Sequence, residues 1–211
     1  MRALGLDLRL VGSRSFLGVI AVLVVVGCAV TGSLVLAWPI VAGWVSACGL
    51  AHRDMEQSGR VGALQSVLGI PRGTAVRTRY ASVVVIAAAL AVLGAVIALA
   101  WTALGRDLTP VWGYFAVLVF ALAFGLINLT LGYTASTGVR QAVAYGLIVI
   151  ALAVTLTPFM VGANTGWSTA ALVEVLYAAP VPPVVVAGLM AIAALTLGSP
   201  MAVRAHSRAV L

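Results

Sequence analysis

Long uncharged runs of apolar residues alternate with short polar segments along the chain. No residue from Phe16 to Ala51 is charged, and four further apolar runs follow. A helix needs about 20 apolar residues to cross about 30 Å of hydrocarbon, so each later run suits one transmembrane span. The first run suits two short spans divided at Thr31-Gly32-Ser33, and one long span with a re-entrant piece is the alternative. In chain order we predict spans at 16–31, 34–51, 80–104, 110–133, 141–162 and 181–203.

Three segments outside these spans have their own predicted structure. Residues 1–15 carry arginines among leucines in a partly amphipathic pattern, which predicts a helix lying in the membrane interface. The leucine spacing also suits a strand, but a lone strand at a membrane leaves its edges unpaired. Residues 52–79 form the largest polar segment, a cytoplasmic loop, and residues 164–180 form a longer outer segment with one charge.

The positions of the arginines predict the orientation. All 12 basic residues are arginine. If the N-terminus is inside, every arginine except Arg106 falls in an inner segment, as the positive-inside rule requires. The predicted fold class is therefore all-α: a polytopic membrane protein with six transmembrane helices, an N-terminal interfacial helix, a cytoplasmic coupling helix and both termini in the cytoplasm.

The composition excludes a soluble or a disordered protein. Of the 211 residues, 63% are hydrophobic and 8% are charged, whereas an ordinary soluble domain has about 25% charged residues. Disorder needs low hydrophobicity and high charge. The net charge of +7 suits inner-side arginines better than nucleic-acid binding, so we expect membrane lipid and no nucleic acid as a partner.

The sequence contains no catalytic or metal-binding motif. Because the chain has no lysine, it has neither a phosphate-binding loop nor a Schiff-base residue. It has no His-Glu-x-x-His motif, and both histidines lie in predicted cytoplasmic segments. No predicted span core contains a charge, which argues against a proton-coupled carrier. We therefore predict that the chain is not an enzyme, with no catalytic residue and no metal, and that another chain binds any ATP and Mg²⁺.

The two cysteines, Cys28 and Cys48, fall in predicted spans near opposite faces of the membrane, so a disulfide between them is not expected. Val25-Val26-Gly27-Cys28 is similar to a lipoprotein cleavage box that follows a signal peptide, which would make Cys28 a lipidation site. We prefer an intact first span, because it gives the even number of spans that the arginines support.

The cytoplasmic loop predicts a short amphipathic helix beneath the membrane. Apolar residues recur there at near-helical spacing, with an aspartate and a glutamate in the first turn and Gly-Ile-Pro, residues 69–71, at the end. A solvated loop and a helix that docks a cytoplasmic partner both suit this pattern. The apolar positions are Val61, Leu64, Val67 and Leu68, and the acidic positions are Asp54 and Glu56.

A distinctive order of residues surrounds Pro71. Its positions are Leu68, Ile70, Pro71, Arg72, Val76, Arg79 and Tyr80. With a mixed polar stretch before it and the third span after it, this order resembles the ABC-2 type permease family, the membrane subunits of ATP-driven exporters. The Leu-Asp-Leu-Arg-Leu sequence at residues 6–10 and the six-span layout are also similar. Gly69 and the small size depart from the family pattern, and the size suggests a compact branch.

The resemblance implies a permease subunit that forms a homodimer, or a heterodimer with a sister permease, and binds a separate ATPase subunit that holds ATP and Mg²⁺. Residues 54–68 would be the coupling helix seated in the ATPase. It implies export of an amphipathic or hydrophobic substrate, such as a peptide, a lipid or a drug-like molecule, across a bacterial cytoplasmic membrane, with no cofactor bound directly. The implied coupling residues are Arg53, Asp54, Glu56, Arg60, Leu64 and Leu68.

Further candidate residues lie in the spans and in the outer segment. Some span residues are candidates for the substrate pathway, with helix packing as the alternative for Asn128. By analogy with the family, residues 164–180 would help to gate the outer exit, with an aromatic belt and a solvent-facing charge as alternatives. The pathway candidates are Trp38, Trp44, Asn128 and Pro158, and the outer-gate candidates are Trp167, Glu174 and Tyr177.

Two other functions suit the same sequence. A heme-exporter permease of the cytochrome c maturation type also has about this length and six spans, but no distinctive heme-handling residue is present here. The other function is that of a membrane scaffold or assembly factor that transports nothing. ATP hydrolysis stimulated by transport would exclude the scaffold.

Overall fold

The computed structural model describes residues 15–46, 69–134, 173–174, 177 and 182–208. The helices are α1 (Ser15–Thr31), α2 (Leu34–Ser46), α3 (Arg72–Ala103), α4 (Thr109–Thr134), α5 (Pro183–Ala193) and α6 (Ser199–Arg208). Of the described residues 91% are helical and none lies in a β-strand, which confirms the all-α prediction for this part of the chain. α2 begins as a 3₁₀ turn, Leu34–Ala37, and a π-helical segment, Ala194–Gly198, joins α5 to α6.

Three helical segments are long and apolar enough to cross a membrane, Gly73–Ala103, Thr109–Thr134 and Pro183–Ala205. Two shorter apolar helices, Val22–Thr31 and Leu34–Ser46, lie within the described parts of α1 and α2. This is the character of an integral membrane protein. The six-span count and the orientation stay predictions, and the predicted fifth span lies outside the described residues.

α3 begins earlier than the predicted third span. Gly69 has φ 62, and Pro71, with φ −58 and ψ 136, is the last residue before the helix. Proline cannot continue a preceding helix, and its fixed φ allows the extended backbone that leads into α3. Arg77 and Arg79 therefore lie in the first turns of α3, and not in the loop to which the sequence pattern assigns them.

α3 and α4 form a hairpin through a short turn. Gly105 has φ 64, and the N–H of Arg106 donates to the carbonyl of Trp101 over 2.9 Å. A left-handed glycine commonly ends a helix because it has no Cβ to collide with the backbone. Asp107 then accepts hydrogen bonds from the N–H and the hydroxyl of Thr109, at 3.0 and 2.8 Å, where α4 starts. These bonds, the backbone bond foremost, hold the pKa of Asp107 below its ordinary value.

α4 is the central helix among the described elements. It packs against α3, α5, α6 and the start of α2. Trp38 and Tyr114 belong to one apolar cluster around it, and Tyr80 and Leu126 belong to a second. Gly94 of α3 lets α4 come close, because a Cβ at that position would lie 2.7 Å from Cε1 of Tyr114.

Different helix termini meet at the two ends of the bundle, which we call the hairpin end and the opposite end. At the hairpin end, α1 finishes beside the α3–α4 turn, where the indole N–H of Trp101 donates to the carbonyl of Ala29 over 3.1 Å. At the opposite end, α3 begins beside α6, and a Cβ placed on Gly73 would lie 3.4 Å from Cγ1 of Val203. The positions of the arginines predict that the opposite end faces the cytoplasm.

Candidate functional site

The C-terminus of α1 is closed first by its own backbone. Gly32 has φ 80, its N–H donates to the carbonyl of Ala29 over 3.3 Å, and the N–H of Ser33 donates to the carbonyl of Cys28 over 2.8 Å. This pair of bonds satisfies carbonyls that a helix end otherwise leaves without partners. Val25 and Ala29 are buried in the core on either side of Cys28.

Arg106, on the turn of the α3–α4 hairpin, completes the closure of α1. Its Nη1 lies 3.2 Å from the carbonyl oxygens of Ala29 and Val30 and donates to both. The guanidinium also lies over the ring of Trp101, with 5.7 Å from Cζ to the ring centroid. A cation at the C-terminus of a helix is stabilised by the helix dipole. This arrangement gives the one arginine predicted on the outer side a structural role.

Trp38, predicted as a pathway residue, is packed in the core at the hairpin end. It is 1% exposed, and its Nε1 donates to the carbonyl of Pro110 over 3.2 Å. The ring lies against Gly113 of α4 and fills the space that a Cβ there would occupy. Trp38 therefore locks α2 onto α4, which favours packing within the chain.

The other described pathway candidates also have packing roles. Asn128 is 5% exposed, and its Nδ2 donates to the carbonyl of Phe124, one turn earlier in α4, over 3.0 Å. Trp44 is half-buried against both apolar clusters. Pro158 lies outside the described residues, so no arrangement of the four candidates around one pathway can be described.

Tyr177, one of the outer-gate candidates, contacts the start of α4. Its hydroxyl donates to the carbonyl of Trp112 over 2.9 Å, and the two rings meet edge to face with centroids 6.1 Å apart. Burial raises the pKa of Tyr177 above its ordinary value. Glu174 is exposed. Trp167 lies outside the described residues.

A polar cluster at the opposite end was missed by the sequence analysis. Arg79 is 2% exposed, about 10 Å along α3 from its first residue. Its Nη1 donates to the hydroxyl of Tyr133, and its guanidinium lies over the Tyr133 ring, with 5.9 Å from Cζ to the centroid. Pro71 was the available signal, because a helix that starts directly after it carries Arg79 two turns inward.

Tyr80 and Thr130 continue this cluster across three helices. Their hydroxyl oxygens lie 2.7 Å apart, and the Thr130 hydroxyl also lies 2.9 Å from the carbonyl of Leu126. The same hydroxyl occupies the space beside Gly198, where the π-helical segment ends. We refer to Arg79, Tyr80, Thr130 and Tyr133 as the tyrosine cluster. It links α3 to α4 by side-chain hydroxyl groups, and Thr130 packs against the α5–α6 region at Gly198.

The predicted coupling residues lie outside the described part of the chain. They are Arg53, Asp54, Glu56, Arg60, Leu64 and Leu68. The described chain resumes directly after them at Gly69, whose left-handed backbone is followed by Ile70, Pro71 and α3. The tyrosine cluster therefore lies close in sequence to the predicted docking segment, whereas the hairpin end is separated from it by the length of α3.

The chain was compared with protein-family models, with curated proteins and with solved structures, and no match was found. The likeness of residues 51–80 to a permease family therefore stays a prediction from the sequence. In the described ranges, no three histidine, cysteine, aspartate or glutamate residues come close enough to hold a metal ion. The geometry there offers hydroxyl, indole and guanidinium donors.

Proposed function

We propose that this chain is the membrane subunit of an ATP-binding cassette exporter of the ABC-2 type. It would lie in the cytoplasmic membrane of a bacterium, pair with a second permease subunit and bind a separate ATPase subunit through residues 52–68. The observation that carries the proposal is the joint at Gly69, Ile70 and Pro71, which connects that polar segment to α3.

The joint has the local geometry with which a helix ends and another begins. Gly69 has φ 62, a left-handed conformation that commonly follows the last turn of a helix. Pro71 then precedes α3 without any flexible linker between them. A force applied to residues 52–68 would therefore act directly on the first turn of a long apolar helix, as a coupling segment requires.

The distribution of charge supports an external source of energy. Helices α1 to α6, as described, contain no acidic residue. Carriers driven by protons or cations use acidic or histidine side chains within their spans to relay the ion. The apolar segments Gly73–Ala103, Thr109–Thr134 and Pro183–Ala205 contain neither, which better suits energy from a partner that hydrolyses ATP. The absence of lysine from the chain excludes a phosphate-binding loop of its own.

The substrate class follows from the same surfaces. α1, α3 and α5 expose large apolar side chains, among them Leu23, Val92 and Leu189. A pathway formed between two such subunits would be lined by apolar and small residues, which suits an amphipathic peptide, a lipid or a drug-like molecule. It does not suit a sugar or an inorganic ion, whose desolvation it would not offset.

Copurification coupled to an activity measurement tests the proposal. The tagged chain is purified in mild detergent from the membranes of its own host, and the ATP hydrolysis of the preparation is measured in liposomes. We expect an ATPase subunit with a phosphate-binding loop in the preparation. A triple variant, Arg53→Gln, Asp54→Asn and Glu56→Gln, should lose that subunit and the hydrolysis.

The matched control is Asp107→Asn, an equally conservative change at the hairpin end, which should retain both. Recovery of the wild-type chain without any ATPase would contradict the proposal, as would a triple variant with unchanged hydrolysis. If an ATPase copurifies but hydrolysis never responds to candidate substrates, the scaffold function is favoured instead.

A further inference from the structure

Two exposed faces of the bundle run in parallel from apolar side chains to an arginine at the opposite end. On α3, Ala88, Val92 and Leu99 are exposed at helical spacing, and Arg77 is exposed on the same side of the helix three turns before Ala88. The apolar part is strongly exposed, with Leu99 at 73%.

The second face, on the α5–α6 region, also leads from apolar side chains to an arginine, but here the arginine comes last in the sequence. Leu197, Met201 and Arg204 follow one another at positions i, i+4 and i+7, and all three are exposed. Leu197 is 66% exposed. Because α6 runs towards the end from which α3 starts, both faces finish in an arginine at the same end of the bundle.

The two arginines belong to neighbouring helices at the depth of a membrane surface. Gly73 lies against Val203, so the start of α3 and the end of α6 are in contact there. Arg77 lies near the beginning of one apolar segment, Gly73–Ala103, and Arg204 near the end of another, Pro183–Ala205. Both arginine side chains are exposed at this end of the two helices.

The charge at this end is positive among the described residues. The acidic residues in the described part of the chain are Asp107 and Glu174, and neither lies at the opposite end. Asp107 lies in the α3–α4 turn, and Glu174 lies near Tyr177, which contacts Trp112 at the hairpin end. Guanidinium groups bind phosphate oxygens through paired donors, and basic side chains at a span end attract anionic lipids.

We propose that Arg77 and Arg204, with the apolar faces that lead to them, form a binding site for an anionic phospholipid of the leaflet at the opposite end. The phosphate lies between the two guanidinium groups, and the acyl chains lie along Ala88 of α3 and Leu197 and Met201 of α6. The site does not depend on whether the chain couples to an ATPase.

Native mass spectrometry of the full chain in detergent tests this site. The delipidated protein is titrated with an equal mixture of phosphatidylglycerol and phosphatidylcholine, and the bound lipids are counted. We expect phosphatidylglycerol to be retained preferentially, with an affinity that falls as salt is raised. Arg77→Gln or Arg204→Gln alone should weaken its binding about fivefold, and the double variant about thirtyfold.

The double variant Arg77→Lys and Arg204→Lys is the matched control, because it keeps both charges and should retain most of the binding. Circular dichroism and gel filtration check that every variant is folded. Equal binding of the two lipids by the wild type would overturn the site, and so would unchanged phosphatidylglycerol binding by the double glutamine variant. Displacement by glycerol phosphate alone would replace the lipid with a small phosphate, and a lipid-free dimer would replace it with a second copy of the chain.

Discussion

At the hairpin end, the described bonds between helices run from side chains to backbone carbonyls, whereas at the opposite end they join side chains to one another. Trp38, Trp101 and Arg106 each reach a carbonyl of another helix or turn. In the tyrosine cluster, by contrast, Tyr80 meets the hydroxyl of Thr130, and Arg79 meets that of Tyr133. A carbonyl at a helix end is fixed in place, but a hydroxyl group can rotate and exchange its partner for water.

This difference gives the two ends different mechanical properties. The hairpin end fastens α1 and α2 to the α3–α4 hairpin through the buried indole N–H groups of Trp38 and Trp101. Separation would leave these donors without acceptors, which is costly for a buried group. The tyrosine cluster links α3 to α4 by bonds that can be remade. We therefore expect the hairpin end to act as a rigid joint and the opposite end to accommodate movement.

The largest expected effect comes from Gly113→Ala. A Cβ at this position overlaps the ring of Trp38, which is fully enclosed and hydrogen-bonded to Pro110. Overpacking of such a core site should lower the stability by about 3 kcal/mol, because neither the ring nor α4 has space to move. Thermal unfolding in detergent measures the loss.

Gly188→Ala is the matched control for this change. Gly188 also lies in a helix, but nothing lies within 4 Å of a Cβ placed there. The change should leave the stability equal or slightly higher, since alanine favours the helix. Equal unfolding temperatures for the two variants would show that Trp38 is not locked against α4.

The second expected effect is that of Arg106→Gln at the end of α1. The variant loses two charge-assisted bonds to the carbonyls of Ala29 and Val30 and the favourable charge at the helix C-terminus. Because Arg106 is exposed, we expect a loss of about 1 kcal/mol. Hydrogen exchange at the amides of the last turn of α1 should become faster.

Arg106→Lys is the control that keeps the charge, and it should recover part of the protection. If exchange in α1 is unchanged in Arg106→Gln, then Trp101 and the backbone closure at Gly32 are sufficient to fix this helix, and the hairpin end is less dependent on charge than the geometry indicates.

The third expected effect is smaller and belongs to the tyrosine cluster. A double-mutant cycle of Tyr80→Phe and Thr130→Val removes the two hydroxyl groups singly and together. Bonds between transmembrane side chains have coupling energies of about 0.6 kcal/mol, because the separated groups find other partners. We expect a coupling of this size from thermal unfolding. A coupling energy above the stability loss of about 1 kcal/mol expected for Arg106→Gln would contradict the contrast between the two ends.

Sequence patterns predicted the helices well where the signal was apolar length, and poorly where it was charge. The apolar runs account for α1 and α4, since each requires only a stretch of suitable length. The start of α3 was placed too late, because Arg77 and Arg79 were interpreted as loop residues. A buried arginine is predictable only when its partner is known, and Tyr133 is distant in sequence but adjacent in the fold.

The contacts of the candidate residues could not be predicted for the same reason. Trp38 was a reasonable pathway residue until the gap left by Gly113 on another helix was known. The role of Arg106 as a partner for the end of α1 depends on the antiparallel hairpin, which brings a turn in one part of the chain to a helix end in another. Local pattern contains no information on such pairings.

The smallest expected effect is a pH dependence at the start of α4. The N–H and the hydroxyl of Thr109 hold the pKa of Asp107 below its ordinary value. A lowered pKa means that the ionised form is favoured in the folded state, so its contribution is complete above the ordinary pKa and is lost as the pH falls through the lowered one. The amide of Thr109 should shift in that window by NMR. Asp107→Asn, which keeps an acceptor but does not titrate, should abolish the shift, and a shift that persists in this variant would assign the titration to another group.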